Sequence, residues 1–245
     1  SNLRFAYHGQ IKHADYLNSR RIELKGEYQD LRVKYLDGWP VMKDAKGNVH
    51  LKGAETSISV LAGSMLGIQD LSAELIMDNL NTDLSADVNF TSKDNGIISF
   101  ILNSPLKEEL SFLSNEWQSR GTITGNMDLS FPFSNVLSSA IDLDIRFQLS
   151  DFDLMVPDYD LDFRSLEGEG GFYLPHHLSG DFQGKLFNEK ISIKALSDRD
   201  SLKFALEGLA DTKMINVVTE LSIDDYLEGS FEYFAEMVFA TNATN

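Results

Sequence analysis

The sequence contains no cysteine among its 245 residues. Disulfide bridges, thiolate zinc sites and cysteine nucleophiles are therefore all excluded. A chain without cysteine is compatible with an oxidising compartment. Many proteins of reducing compartments also lack cysteine, so this absence leaves the compartment open.

Long apolar segments are absent as well, because no run reaches the roughly 18 residues that a membrane-spanning helix needs. The opening residues, SNLRFAYHGQ, lack the basic region and the apolar core of a secretory signal peptide. We therefore interpret the sequence as an internal or already processed piece of a longer protein.

Positive charge is scarce. Lysine and arginine together number 21 against 38 aspartates and glutamates, which gives a formal net charge of −17. Nucleic-acid binding needs cations that neutralise phosphates, so this balance argues against a nucleic-acid partner. It also disfavours docking on an anionic membrane surface.

Motifs for catalysis and for cofactor binding are missing too. The sequence has neither a G-x-S-x-G nucleophile elbow nor the H-E-x-x-H pair of a zinc protease. The best metal candidate is the acidic stretch with Asp158, Asp160 and Asp162, but Phe163 stands where a calcium loop requires glycine. Strand alternation alone would place these aspartates on a solvated face. We expect no enzyme activity, no catalytic residue, no metal and no cofactor.

What the sequence has in abundance is alternation of apolar and polar residues. The stretch IDLDIRFQLSDFDLMV, residues 141–156, is typical of a strand with one apolar and one solvated face. The apolar phase shifts near Ser150 and Asp151, where a β-bulge or a tight turn would restore the same face. The lack of Gly or Pro at this point favours the bulge. The apolar residues of the first part are Ile141, Leu143, Ile145, Phe147 and Leu149.

The same period of two recurs along the chain, with short turn signals such as DAKGN and KDNG between the runs. It predicts an all-β protein of about fourteen strands, with GIISFIL and SFEYFAEMVF among them. Ser104 and Pro105 predict the start of one helix over about 105–115. A second, shorter helical piece is expected near 134–139.

No low-complexity linker divides the chain, so we expect one elongated unit over residues 1–245. A weak internal similarity relates the segment around Trp39 to the segment around Phe163, at an offset of roughly 120 residues. Such similarity suggests stacking of one supersecondary unit, as in repeat proteins. The alternative to an undivided unit is therefore two tandem repeats, 20–120 and 121–235.

Five short motifs follow one another along the chain: LDGWP, GNVHLKG, FILNSPLKEELSFL, RGTITGNMDLSFPF and LEGEGGFYLPHHLSGDFQGKLFNEKISIKAL. In this order they resemble large AsmA-like envelope proteins of the YhdP type. The matching positions are Trp39–Pro40, Ser104–Pro105–Leu106, Gly125 to Pro132 and Leu166 to Gly184. Each motif alone has low specificity, and their order over about residues 20–230 carries the resemblance.

The resemblance implies a long, curved antiparallel β-sheet shaped as a gutter, or β-groove, with one or two short helices. It also implies a periplasmic protein of Gram-negative bacteria whose full-length chain is anchored in the inner membrane. The implied partner is a phospholipid or another acyl-chain lipid, conducted along an apolar groove toward the outer membrane and so supporting its barrier. Other repeats of the same chain would continue the groove.

An apolar sheet face does not by itself require a lipid, because the two sheets of a β-sandwich bury the same pattern against each other. Scarce helical cover and long consecutive strands favour the open groove. The alternatives are a β-sandwich binding module that uses an exposed Trp117 or Tyr159, and a structural spacer without lipid transport. For the groove, the expected lining residues are Ile141, Leu143, Ile145, Phe147, Leu149, Ile191, Ile193, Phe204 and Leu206.

Overall fold

A computed structural model of the chain describes residues 3–8, 21–52, 55–77, 83–132, 142–174, 177–198, 201–211 and 229–240. Within these ranges, thirteen antiparallel strands form one sheet in which each strand pairs with the next one along the chain. The strands are β1 Leu3–His8, β2 Arg21–Val33, β3 Met42–Lys52, β4 Glu55–Met65, β5 Ile68–Met77, β6 Asp83–Lys93, β7 Gln118–Pro132, β8 Asp142–Val156, β9 Leu161–Tyr173, β10 His177–Leu186, β11 Glu189–Asp198, β12 Ser201–Asp211 and β13 Ser230–Ala240. Two short helices, α1 Gly96–Leu102 and α2 Leu106–Glu109, lie between β6 and β7, and a 3₁₀ turn, Pro157–Tyr159, joins β8 to β9.

Apolar side chains of neighbouring strands stand beside one another, because paired residues of a ladder point to the same face. Ile145 of β8 pairs with Met127 of β7 on one side and with Phe172 of β9 on the other. Rows of this kind cross the sheet and form its apolar face. Asp142 and Arg146, on the opposite face of β8, are exposed.

The sheet curls around this apolar face. Met65, at the end of β4, and Phe204 of β12 line the same cavity although the strands β5 to β11 lie between them in the sheet. The predicted long, curved, mainly β sheet is confirmed, and its thirteen described strands compare with about fourteen expected. The β-sandwich alternative is wrong for the described residues, because all their strands belong to a single sheet.

β-Bulges interrupt several strands. The bulge predicted in β8 is confirmed: Asp151 has a φ of 46°, and the register with β9 shifts between Leu149 and Phe152, which are both buried. Aspartate tolerates this left-handed conformation better than most residues, and each bulge increases the local twist. The same arrangement recurs at Asp30 in β2, Asp44 in β3 and Asp70 in β5, each next to a register shift.

The helical segment differs from the expectation. GIISFIL forms helix α1 and not a strand. The segment has almost no polar residues between its apolar ones, so it has no polar face for solvent. It is therefore buried on several sides. Helix α2 starts close to the predicted position, with the Ser104 hydroxyl accepting a hydrogen bond from the Leu106 amide at 3.3 Å. It ends at Glu109 and not near 115, since Leu110 leaves the helical conformation with a ψ of 46°.

Two further expectations have different outcomes. The prediction of a turn at DAKGN was wrong, because these residues lie inside β3, where Asp44 forms a bulge. The expected helical piece near 134–139 and the lining residue Ile141 lie outside the described residues. The division into two repeats stays a prediction.

Candidate functional site

An apolar cavity of about 270 Å³ lies between the inner face of the sheet and the connection from β6 to β7. We call this connection, residues 96–117, the helical roof. Among the described residues, only apolar side chains line the cavity. The roof contributes Ile97, Ile101, Phe112 and Leu113, and the sheet contributes Val88, Ile145, Phe147 and Phe204, among others.

The roof is fixed to the sheet where it leaves β6. Gly96 at the start of α1 packs so closely on Gly67, in the turn between β4 and β5, that no side chain fits between them. The Ser92 hydroxyl donates a hydrogen bond to the Gly67 carbonyl at 3.0 Å, and the Ser119 hydroxyl donates one to the Asp94 carbonyl at 2.8 Å. These contacts fold the segment back over the inner face.

Two tryptophans pack beside the roof. The ring of Trp39, in the loop between β2 and β3, lies 6.0 Å from that of Phe100 in α1. Trp117 lies at the other end of the roof, and its indole Nε1 donates a hydrogen bond to Asp158 Oδ2 at 3.2 Å. Both tryptophans are 6% exposed, so the expectation of an exposed Trp117 was wrong, whereas Tyr159 is 54% exposed.

The roof also reaches the far side of the curled sheet. The ring of Phe112 lies 6.0 Å from Phe204 of β12 and 4.7 Å from Phe239 of β13, measured between ring centroids. Aromatic contacts of this kind hold one chain segment across the inner face. The roof therefore spans the concave side instead of lying at its rim.

The predicted lining residues fall into two groups. Ile145, Phe147 and Phe204 line the cavity. The second group is buried on the same sheet face but packs against neighbouring side chains: Leu143, Leu149, Ile191, Ile193 and Leu206. The predicted lining did not include the roof residues. GIISFIL was expected to form a strand, and the helix predicted over about 105–115 was not expected to contribute to the lining.

The cavity is only partly enclosed. Ile97, Ile145 and Phe147 are only half-buried although they line it. Apolar side chains in such a position keep contact with water unless an apolar guest replaces that water. The arrangement provides an apolar space with access from solvent.

Charged side chains do not contribute to the described lining. The hydroxyl of Tyr35 donates a hydrogen bond to the Sδ atom of Met65, a lining residue, at 3.1 Å. Burial raises the pKa of Tyr35 above the ordinary tyrosine value, so it stays neutral at physiological pH. The cavity therefore favours hydrocarbon over any charged group.

The acidic stretch after β8 has structural contacts. Asp158 accepts the bond from Trp117, and Asp162 pairs with Arg164 at 2.6 Å. In the described ranges, no cluster of three or more His, Asp or Glu side chains is arranged to hold a metal ion. The helices described there are also too short to cross a membrane.

A comparison with protein-family models matches the YhdP protein family over residues 1–245. Neither the curated proteins nor the solved structures gave a match to the chain. The family match covers the whole sequence and agrees with the motif order from LDGWP to KISIKAL. The chain belongs to the YhdP family.

Proposed function

We propose that this chain binds the acyl chain of a lipid in the cavity beneath the helical roof. In the longer protein, the apolar inner face would conduct phospholipids through the periplasm between the inner and outer membranes, and would so support the outer-membrane barrier. The full-length protein would be anchored in the inner membrane, and other repeats of the same chain would continue the groove. No catalytic step is part of this proposal.

The observation that carries the proposal is the purely apolar lining of a cavity that solvent can reach. Its volume is about 270 Å³, and an apolar cavity of about 150 Å³ already holds a benzene molecule. The space thus suits a segment of one acyl chain and not a whole phospholipid. Burying about eight CH₂ groups would gain roughly 6 kcal/mol before the cost of ordering the chain.

The remaining residues of the predicted lining support the same function in a different way. Five of them are buried on the same sheet face and pack in the clusters that support the cavity lining: Leu143, Leu149, Ile191, Ile193 and Leu206. Hydrocarbon contacts need no particular hydrogen bond. This accounts for a binding surface without a signature of polar residues.

The test uses a substitution in the roof that reduces the volume of the cavity. Ile97→Phe adds bulk on a lining residue of α1, and Ile76→Phe adds the same bulk on a side chain that is 56% exposed. The full chain and both variants are incubated with vesicles of phosphatidylethanolamine and phosphatidylglycerol, re-purified and examined by native mass spectrometry. Circular dichroism checks that each variant is folded.

We expect bound lipid in the unmodified chain and in Ile76→Phe, and at least a several-fold loss in Ile97→Phe. An unmodified chain that carries no lipid after this treatment would contradict the proposal and favour the structural spacer. Equal lipid binding by all three folded proteins would place the lipid elsewhere on the surface.

A further inference from the structure

One row of the inner face places two phenylalanines among small residues. From β7 to β12 its ladder partners are Gly125, Phe147, Gly170, Gly180, Ala195 and Phe204. A large side chain in such a row can lie down over a glycine neighbour, since no Cβ stands in its way. The orientation of the Phe147 ring therefore depends on the absence of a Cβ atom at its glycine neighbours.

Phe147 lies over Gly170. A methyl group built at position 170 would stand 2.6 Å from Cζ of Phe147, which is closer than two carbon atoms can approach. The Phe147 ring also stacks on the ring of Phe182, with centroids 6.1 Å apart and planes inclined by 15°. Gly170 leaves room for the Phe147 ring to lie against the sheet, and the stacked Phe182 ring holds it there.

Phe147 also forms part of the cavity floor. It lines the cavity between Ile145 and Phe152 of the same strand, whereas its row partners Gly170 and Gly180 do not line it. The ring thus covers Gly170 and fills space that would otherwise belong to the cavity. Phe204, the next large residue of the row, lines the cavity from β12.

We propose that Phe147 is the floor residue whose ring limits the length of the acyl-chain segment that the cavity accepts. The inference rests on the proposed lipid binding and deepens it by naming the determinant of chain length. Removing the ring opens the space above Gly170, next to Phe182, whose own ring covers Gly180. Raising the ring from the sheet moves it into the cavity and shortens the available path.

Two substitutions should therefore act in opposite directions. Phe147→Ala removes six ring carbons, and the preferred acyl chain should become longer by roughly four to six carbons. Gly170→Ala should make it shorter, because the new methyl group displaces the far end of the Phe147 side chain. A residue with only a structural role would lower stability in both variants without opposite shifts in chain length.

The test presents the full chain with an equimolar mixture of saturated lysophosphatidylcholines of about ten to eighteen carbons, and native mass spectrometry records which are retained. Phe163→Ala is the matched control, since Phe163 is buried on the same face but does not line the cavity. It should leave the chain-length preference unchanged. If Phe147→Ala does not fold, Phe147→Leu should give a smaller shift in the same direction.

Retention of lipid with an unchanged length distribution in Phe147→Ala, Phe147→Leu and Gly170→Ala would overturn this inference and leave lipid binding intact. An unmodified chain that retains no lysolipid of any length would instead contradict the proposed function itself. Opposite shifts in the two main variants, with an unshifted Phe163→Ala, would support Phe147 as the floor residue that limits chain length.

Discussion

Two regions of the same apolar face have different surroundings. Leu143, near the start of β8, is 1% exposed and packs in the core. Ile145, two residues further along the same side of the strand, is half-buried and borders the cavity. Identical alternation in the sequence thus produces a packed region that stabilises the fold and an adjoining region that leaves space for a guest.

The difference arises from what covers each region. Beneath the roof, side chains such as Phe112 and Leu113 come from a short connection that does not fill the whole space. Elsewhere on the face, strand side chains pack into buried clusters together with roof residues such as Phe100, Leu106 and Leu110. A curled sheet with one partial roof can therefore keep both a core and a cavity.

A charged substitution at each position gives the largest expected contrast. Leu143→Asp places a carboxylate in the packed region, where an uncompensated charge costs on the order of 4 kcal/mol, and we expect the chain to unfold. Ile145→Asp borders a space that solvent reaches, so we expect a folded protein, destabilised by about 1–2 kcal/mol, that no longer binds lipid. Urea denaturation followed by circular dichroism measures both.

The control for this pair is Ile76→Asp, on an exposed side chain of the outer face, which should change the free energy of unfolding by no more than about 0.5 kcal/mol. Unfolding of Ile145→Asp together with Leu143→Asp would show that the two regions do not differ. A folded Ile145→Asp with undiminished lipid binding would move the binding site away from the cavity.

A smaller effect is expected at alkaline pH. Burial raises the pKa of Tyr35 above its value in the unfolded chain, so its contribution is constant below about pH 10. As the pH rises further, the unfolded chain loses this proton first, and stability should fall by at most about 1.4 kcal/mol per pH unit for this group. Tyr35→Phe should have a shallower decline between about pH 10 and 11.5 in urea denaturation. An equal slope in both proteins would argue against burial of this hydroxyl.

Alternation was sufficient to predict the sheet, its antiparallel order and the apolar side of β8, because a strand pairs and buries its residues with a period of two. Helix α1 of the roof was not predictable in this way. Its residues, GIISFIL, are almost all apolar, and contacts with distant residues, such as those of Gly96 with Gly67 and of Phe100 with Trp39, fix where the helix lies. Periodicity also cannot distinguish Leu143 from Ile145, since the difference lies in distant segments.

The bulges, in contrast, leave a signal in the sequence. At three of the four aspartate bulges, two buried apolar or small residues flank a polar residue and the aspartate: Met42 to Ala45, Ile68 to Leu71, and Leu149 to Phe152. The flanking residues are buried although their spacing of three would put them on opposite faces of a regular strand. Only the copy in β8 was recognised, because the alternation there is uninterrupted on both sides.

The most direct test of lipid binding in the cavity locates the bound acyl chain. Crystals of the full chain are soaked with a lysophosphatidylcholine brominated near the methyl end of its acyl chain, and the bromine is found by anomalous diffraction. We expect a peak beneath the helical roof, between Ile97 of α1 and Ile145 of β8. A peak only on the outer face, or none at saturating lipid, would contradict it.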